Sequence, residues 1–342
     1  MDLISLCERG LIPDPLTRFG IRRLCRERLA DESVLDIEAM DRRFGRELAA
    51  LKQSPIAIET QAANEQHYEV PPDFFKLCLG KQLKYSSCYY PSGDESLDQA
   101  EEQMLALYGE RAELADGMDI LELGCGWGSL TLWMAERFPN ARITGVSNSA
   151  PQRLHIEAQC ARRGLGNVRI ITCDVNQLTL DSQFDRAVSI EMFEHMRNYE
   201  TLLGRIAGWL KPGGKLFVHI FCHRELMYPF VDRNQSDWMS RYFFTGGLMP
   251  AASTLLHFQR DLTIEESWRL SGRHYQRTAD HWLANQDANR VQVLAVLKGA
   301  YGDAAAPLWH QRWRMFWMAC AEMFGLEDGQ QWLVAHYRFV RR

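Results

Sequence analysis

From Asp119 onward, short apolar runs alternate with stretches long enough for helices. The runs are 119–123, 142–147, 168–173, 184–190 and 214–221. Strands of this length, separated by helical segments, predict a parallel sheet covered on both faces. Lys211-Pro-Gly-Gly214 reads as a helix stop and turn before the fifth run. After Arg224 the alternation lapses until two longer strand-like runs, 262–271 and 331–340, which bring the strands to seven. Residues 1–53 instead carry apolar positions at helical spacing: Leu16, Phe19, Leu24 and Leu29, then Leu35, Ile37, Met40, Phe44 and Leu48. Trp309, Trp313, Phe316, Trp317 and Phe324 lie between the last two runs at spacings that put several on one helix face. Such a stripe is either core or the wall of a site beside the strand ends, where open α/β sheets bind ligands.

The first strand ends in Gly124, Gly126 and Gly128. Glycines at the end of a parallel strand let a ligand approach the backbone, and the following helix offers it unpaired N–H groups. A dinucleotide fingerprint would read G-x-G-x-x-G. The tighter G-x-G-x-G turn, with Glu122 two residues ahead, resembles the first motif of S-adenosylmethionine-dependent methyltransferases, whose cofactor has no phosphate to cradle.

With 342 residues, 46% of them apolar, the chain can bury a sizeable core and is not a disordered segment. Its formal charge of −5 argues against a nucleic-acid binder working through an overall basic field. Arg18, Arg22, Arg23, Arg26 and Arg28 crowd one segment. A solvated helix face is the expectation there, with contact to an anionic surface as the alternative. The nine cysteines, at 7, 25, 78, 88, 125, 160, 173, 222 and 320, are odd in number and form no C-x-x-C pair, so they read as reduced, buried thiols. The N-terminus lacks the features of a signal peptide, and no apolar run reaches the ~18 residues of a membrane span. A cytoplasmic protein without a transmembrane segment is the expectation.

Strand two ends in Gly145-Val-Ser-Asn-Ser149, followed by Gln152, which leaves neutral Asn148 and Gln152 where an acidic residue would grip a ribose. Asp174, at the end of strand three, is placed either to accept from an adenine amino group or to cap a helix. Strand four ends in Glu191-Met-Phe-Glu194-His195. Two carboxylates and an imidazole just past a buried strand are costly in a pocket unless they bind or transfer something charged, and a cationic ligand would offset that cost. Glu191 and Glu194, three apart, share a face if a helical turn begins here. His219 and His223 do not converge on a metal from a strand and its exit, and no metal is expected.

Long motifs in order along the chain extend this reading. Tyr68-Glu-Val-Pro-Pro-Asp-Phe-Phe-Lys, Leu83-Lys-Tyr-Ser-Ser-Cys-Tyr-Tyr90, Met192-Phe-Glu-His195, Gly246-Gly-Leu-Met-Pro250 and His274-Tyr-Gln-Arg-Thr278 resemble the cyclopropane-fatty-acid and mycolic-acid cyclopropane synthase superfamily. Within it the chain is similar to the coclaurine N-methyltransferase branch, through Leu83–Tyr90, Phe221-Cys-His-Arg224, Ala321-Glu-Met-Phe-Gly325 and Gly329-Gln-Gln-Trp332. The resemblance implies an α/β fold: a class I, Rossmann-like methyltransferase with a seven-stranded, mostly parallel sheet. It also implies a helical N-terminal extension over 1–63 and a catalytic domain over 64–342, with mainly helical lid segments at 224–261 and 274–328. S-adenosyl-L-methionine is the implied cofactor, contacted by Tyr85, Ser86, Gly124, Gly126, Asn148, Gln152, Asp174 and Val175. Glu191, Glu194 and His195 become the catalytic cluster, and Trp313 and Phe316 the pocket aromatics.

The implied reaction is N-methylation of a small amine, with a benzylisoquinoline as the suggested type, by an enzyme that could form a homodimer. His195 would take the amine proton, Glu194 would orient it or bind the ammonium, and Glu191 would add negative potential. The alternative within the superfamily is methylation of an unsaturated lipid, which the resemblance ties to a bicarbonate site. Cys125, Glu194 and Tyr275 match that site, but its histidine position falls on Ile220, and His219 would point to the opposite face of the strand. A binding protein that keeps the fold without activity is the remaining alternative, and the intact Glu-x-x-Glu-His cluster argues against it.

Overall fold

The computed structural model describes residues 3–33, 36–58, 70–232 and 237–342. Seven strands form one sheet in the order β3-β2-β1-β4-β5-β9-β8. They are β1 (Asp119–Leu123), β2 (Arg142–Ser147), β3 (Val168–Thr172), β4 (Phe184–Ile190), β5 (Leu210–His223), β8 (Leu262–Leu270) and β9 (Trp332–Arg341). The first five pair in parallel, whereas β9 lies antiparallel between β5 and β8. Strand order reverses between β1 and its neighbours β2 and β4, so the crevice of an open α/β sheet falls at the carboxyl ends of β1 and β4. The Lys211–Gly214 turn is absorbed into β5, where the register with β4 shifts between Phe184 and Arg186.

Side chains alternate across the sheet and feed two cores. Ile120, Val188 and Phe217 face one. Leu121, Leu123, Ala187, Leu216 and Val218 face the other. This period of two is what a strand buried on both faces requires. The second core is closed by α3 (Ile37–Gln53) and α8 (Tyr199–Trp209). The first is larger and holds α4 (Pro72–Cys78), α5 (Leu97–Arg111), α6 (Ser129–Arg137), α10 (Gly272–Ala288) and α12 (Ala306–Gly325). The remaining long helices are α2 (Asp14–Glu32), α7 (Ala150–Arg163) and α11 (Arg290–Tyr301), with a short α1 at Leu3–Glu8.

The N-terminal region is helical, as its spacing predicts; Arg23 and Arg26 are exposed, as a solvated face requires, but Arg18, Arg22 and Arg28 pair with other elements. Arg18 reaches Glu322 at 2.8 Å and Asp280 at 2.7 Å, and Arg22 reaches Glu322 at 2.5 Å. Arg28 pairs with Asp237 at 2.6 Å. From the other side, Arg314 binds Asp14 at 2.6 Å and Arg312 binds Glu8 at 2.8 Å. The periodicity placed Arg18, Arg22 and Arg28 on a helix, but their acidic partners on other elements lie 209 to 304 residues away in sequence and become visible only after folding. Leu35 and the 63/64 domain boundary lie outside the described residues.

Among its described residues, segment 224–261 is not mainly helical. It carries a two-residue ladder of β6 (Tyr228–Pro229) against β7 (Leu248–Met249), a five-residue helix α9 (Trp238–Tyr242) and a 3-10 turn at Thr254–His257. Pro229, Gly246, Gly247 and Pro250 interrupt any helical run, and the backbone instead closes a loop through Phe230 N–H to Gly247 O. From Gly272 to Gly325 the chain is helical, as expected. All nine cysteines are unpaired; seven are buried, with Cys25 and Cys173 half-buried. Among the described residues no helix is long and apolar enough to cross a membrane, and no His/Cys/Asp/Glu group could hold a metal.

Candidate active site

The carboxyl end of β1 turns through Gly124 (φ +80°), Gly126 (φ +52°) and Gly128 (φ +84°) into α6. A Cβ on Gly124 would stand 2.9 Å from Met192 Cβ, and one on Gly128 would stand 2.7 Å from Ile156 Cγ1. Left-handed backbone and close neighbours together require glycine at both positions. At Gly126 a Cβ would meet nothing within 4 Å, because that residue faces a cavity.

Two adjoining cavities meet at this turn, sharing Gly124, Gly126, Gln152 and His195 in their walls. The first also contains Tyr85, Ser86, Glu191, Glu194 and Phe316, and the second Asn148 and Val175. The sequence therefore named residues from six different segments that the fold brings to one place. Asp174 lines neither cavity; its Oδ1 accepts from Asn176 N–H at 2.7 Å within a turn, and no helix follows for it to cap. Trp313, expected beside the substrate, is fully buried and lines neither of these two cavities, packed against Phe74, Phe243 and Phe316 at ring distances of 4.7, 5.0 and 5.6 Å. Three positions separate Trp313 from Phe316, enough for one to face core and the other the cavity.

Glu191 is itself in left-handed backbone, at φ +46°, directly before the 3-10 turn Phe193–His195. Its Oε1 accepts from Ser87 N–H at 2.9 Å and from His219 Nε2 at 3.0 Å, and its Oε2 from the Tyr275 hydroxyl at 2.6 Å. Burial raises the Glu191 carboxyl above its usual range, an effect that the Lys84 ammonium and the Tyr275 and Ser87 donors offset only in part. Lys84 is fully buried, donating to Ser86 Oγ and Ser87 O at 2.6 Å each, and burial pulls its ammonium down. Glu194, equally buried, has Oε2 without a partner among the described residues. Burial, then the neighbouring Glu191 charge, hold its carboxyl well above the usual range. The His195 ring stacks on Phe244 at 4.8 Å.

Sequence reasoning missed several of these partners. His219 was set aside because it sits one residue from the expected register, yet that offset is what turns it toward Glu191, while Ile220 buries in the opposite core. The lipid-enzyme bicarbonate set therefore does not assemble: Tyr275 and His219 bond to Glu191, not to Glu194. Trp127 and Ser129, inside and just after the glycine turn, also line the first cavity. Their Nε1 and Oγ are buried without partners among the described residues, as is Gln152 Nε2. Orphaned donors around a glycine turn are costly unless a ligand satisfies them. They fit a cofactor with a carboxylate at one end and hydroxyls in the middle.

Sheet order, glycine turn and cavity placement define a class I S-adenosylmethionine-dependent methyltransferase. The mycolic acid cyclopropane synthetase family profile matches residues 57–332. Across its whole length the chain is 37% identical to (S)-coclaurine N-methyltransferase of Thalictrum flavum subsp. glaucum, covering 96% of that protein. It is 35% identical to the (S)-coclaurine N-methyltransferase of Papaver somniferum, over all of this chain and 98% of that one. Its fold superposes on the crystal structure of coclaurine N-methyltransferase bound to N-methylheliamine and SAH with a TM-score of 0.95, at 36% identity and 98% coverage of each chain. The chain belongs to the mycolic acid cyclopropane synthetase family, on the side of its N-methyltransferases, and is an S-adenosylmethionine-dependent N-methyltransferase.

Proposed function

We propose that the chain methylates the nitrogen of a small amine of the benzylisoquinoline type, with Glu191, Glu194 and His195 at the reacting end of the first cavity. The observation that carries this reading is the unpartnered Glu194 oxygen, buried in a cavity whose other walls include Phe221, Phe230, Phe244, Trp282 and Phe316. An acidic point in an aromatic chamber suits an aromatic cation. When bound, the cofactor supplies an electrophilic methyl group on a positively charged sulfur. Tyr85, Ser86, Trp127 and Ser129 would hold its methionine end, with Gly124 and Gly126 beneath it. Asn148 and Gln152 would hold the ribose, and Val175 and Asp174 the adenine side.

An alkylamine is mostly protonated at neutral pH and is not a nucleophile until it loses that proton. His195, at the junction of the two cavities, takes it, and Glu194 holds the ammonium in place. Docking a cation beside Glu194 favours its ionised form, reversing the effect of burial. Glu191 contributes a fixed negative potential as charge develops on the nitrogen. Aromatic faces such as Phe316 stabilise the methylated cation by roughly 0.5–2 kcal/mol per contact. The unpaired thiols support a cytoplasmic setting. Exposed Leu16 and Phe19 on α2 offer apolar surface to a second copy in a homodimer.

The test is cofactor consumption and product mass on aromatic secondary amines, simple alkylamines and unsaturated phospholipids. Turnover of the aromatic amines is expected. Turnover confined to the phospholipids would overturn the proposal.

A further inference from the structure

Behind Glu191, away from the cavity, a line of side chains continues across one face of the sheet, from β5 to β9. His219 on β5 stands directly opposite His336 on β9 in the antiparallel register. Residues opposed in this way on one face touch, and His336 Nε2 lies 2.9 Å from His219 Nδ1. Beyond it, Arg111 at the end of α5 places Nη1 2.8 Å from His336 Nδ1. Both imidazoles are fully buried, and Arg111 is held in place with its guanidinium 4.8 Å over the Trp268 ring.

The chemistry of this line has a direction. Burial, with Arg111 and Lys84 nearby, keeps both imidazoles well below their usual range, so at neutral pH each is uncharged, with one donor and one acceptor nitrogen. A guanidinium only donates. His336 must therefore accept at Nδ1 and carry its hydrogen on Nε2. That hydrogen faces His219 Nδ1, so His219 carries its own on Nε2 and donates it to Glu191. Tyr108, whose hydroxyl is 2.9 Å from the same Nδ1, likewise faces an acceptor there and shares its single lone pair with the His336 N–H. Every N–H in the line points at Glu191. Such a chain is not a proton wire: carrying a proton outward would require both rings to reverse against a group that cannot accept.

We propose that Arg111 and His336 are positioning residues for the methyl transfer: they lock His219 as a donor, and so hold the Glu191 carboxylate as a fixed anion in the cavity wall. Hydrogen bonds in series polarise one another, so a charge at one end strengthens the last bond. Glu194, which lacks such a line, is left free to respond to the ligand. The activity arm of the test rests on the amine-methyltransferase reading; the spectroscopic arm does not.

The experiment compares Arg111→Lys, Arg111→Met and Arg111→Glu by steady-state kinetics and by nitrogen-15 spectra of histidine-labelled enzyme. Lysine also donates, so Arg111→Lys is expected to keep the parent tautomers and most of the activity. A carboxylate at 111 accepts, so Arg111→Glu is expected to move the His219 hydrogen from Nε2 to Nδ1. It should also lower kcat by ~10- to 100-fold with the cofactor KM unchanged, the size seen when a group orienting a functional side chain from behind is lost. A merely structural arginine would make Met and Glu equally harmful and leave the His219 tautomer as in the parent; that result would overturn the proposal. Should Arg111→Glu not fold, Arg111→Met decides alone: mixed His219 tautomers support the proposal, and an unchanged spectrum refutes it. A parent enzyme inactive on every amine would remove the substrate reading, and the His219 spectrum would still decide this one.

Discussion

Glu191 and Glu194 are the same side chain three positions apart, and their surroundings divide them. Glu191 receives three hydrogen bonds and faces Lys84, whereas one Glu194 oxygen receives none. Lys84 and these donors favour the ionised form of the first against burial, while the second gains most from a cation entering the cavity. His195 is the remaining member, and its test is substitution. His195→Ala is expected to lower kcat by ~10²-fold or more, the range for loss of a positioned general base. Cofactor affinity, read by calorimetry, should stay near the parent value. If the variant instead stopped binding cofactor while turning over normally at saturation, the ring would be a wall of the cofactor site and not the base. At this scale the sequence was informative about identity and silent about orientation. Trp313 and Phe316 carried the same expectation, and only the rotation of α12 put one in the core and the other in the cavity.

At the scale of elements, α2 is held against α10 and α12 by charge as much as by apolar contact. Glu322 on α12 accepts from both Arg18 and Arg22 and is 8% exposed, so its pairs are better shielded than ordinary surface ion pairs. Glu322→Ala takes the partner from Arg22 and leaves Arg18 with Asp280 alone, and is expected to cost ~1–3 kcal/mol, lowering the Tm by ~1–4 °C. Thermal unfolding at two salt concentrations measures this. An unchanged Tm would place the clamp among surface pairs that contribute nothing measurable. The same element shows where periodicity stops being sufficient. A run such as Leu16, Phe19 and Leu24 marks a helix, but Leu16 and Phe19 are each 61% exposed, and the packing runs through arginines read at first as solvated. For segment 224–261 periodicity fails differently, because its prolines and paired glycines replace the expected helix with a loop.

At the scale of the whole molecule, stability should depend on pH through Glu122. This carboxyl, at the heart of β1, is pushed by burial from 4.5 up to about 8, with the Thr131 hydroxyl bond at 2.5 Å only partly opposing that. Between about pH 4.5 and 8 the folded chain holds a proton that the unfolded chain has released. The folded state binds more protons there, so stability falls as pH rises through that window and levels off above it. In Glu122→Gln the window should flatten and the Tm at pH 8 should exceed the parent's, as read by unfolding scans without ligand. A parent and variant with parallel Tm curves would show that Glu122 is ionised in the fold.

The seven strands, their mostly parallel arrangement, the glycine turn and the acidic cluster followed from sequence. These depend on local spacing, and period-two burial, left-handed turns and charged residues at a strand end are each written within a few neighbours. What only the tertiary structure decided were relations between distant segments: the arginine clamp on Glu322, the loop that replaces the expected helix, and the line from Arg111 through His336 and His219 to Glu191. A hydrogen bond between residues 117 positions apart leaves no trace in spacing, because it depends on the strand register, which is set when β9 inserts beside β5.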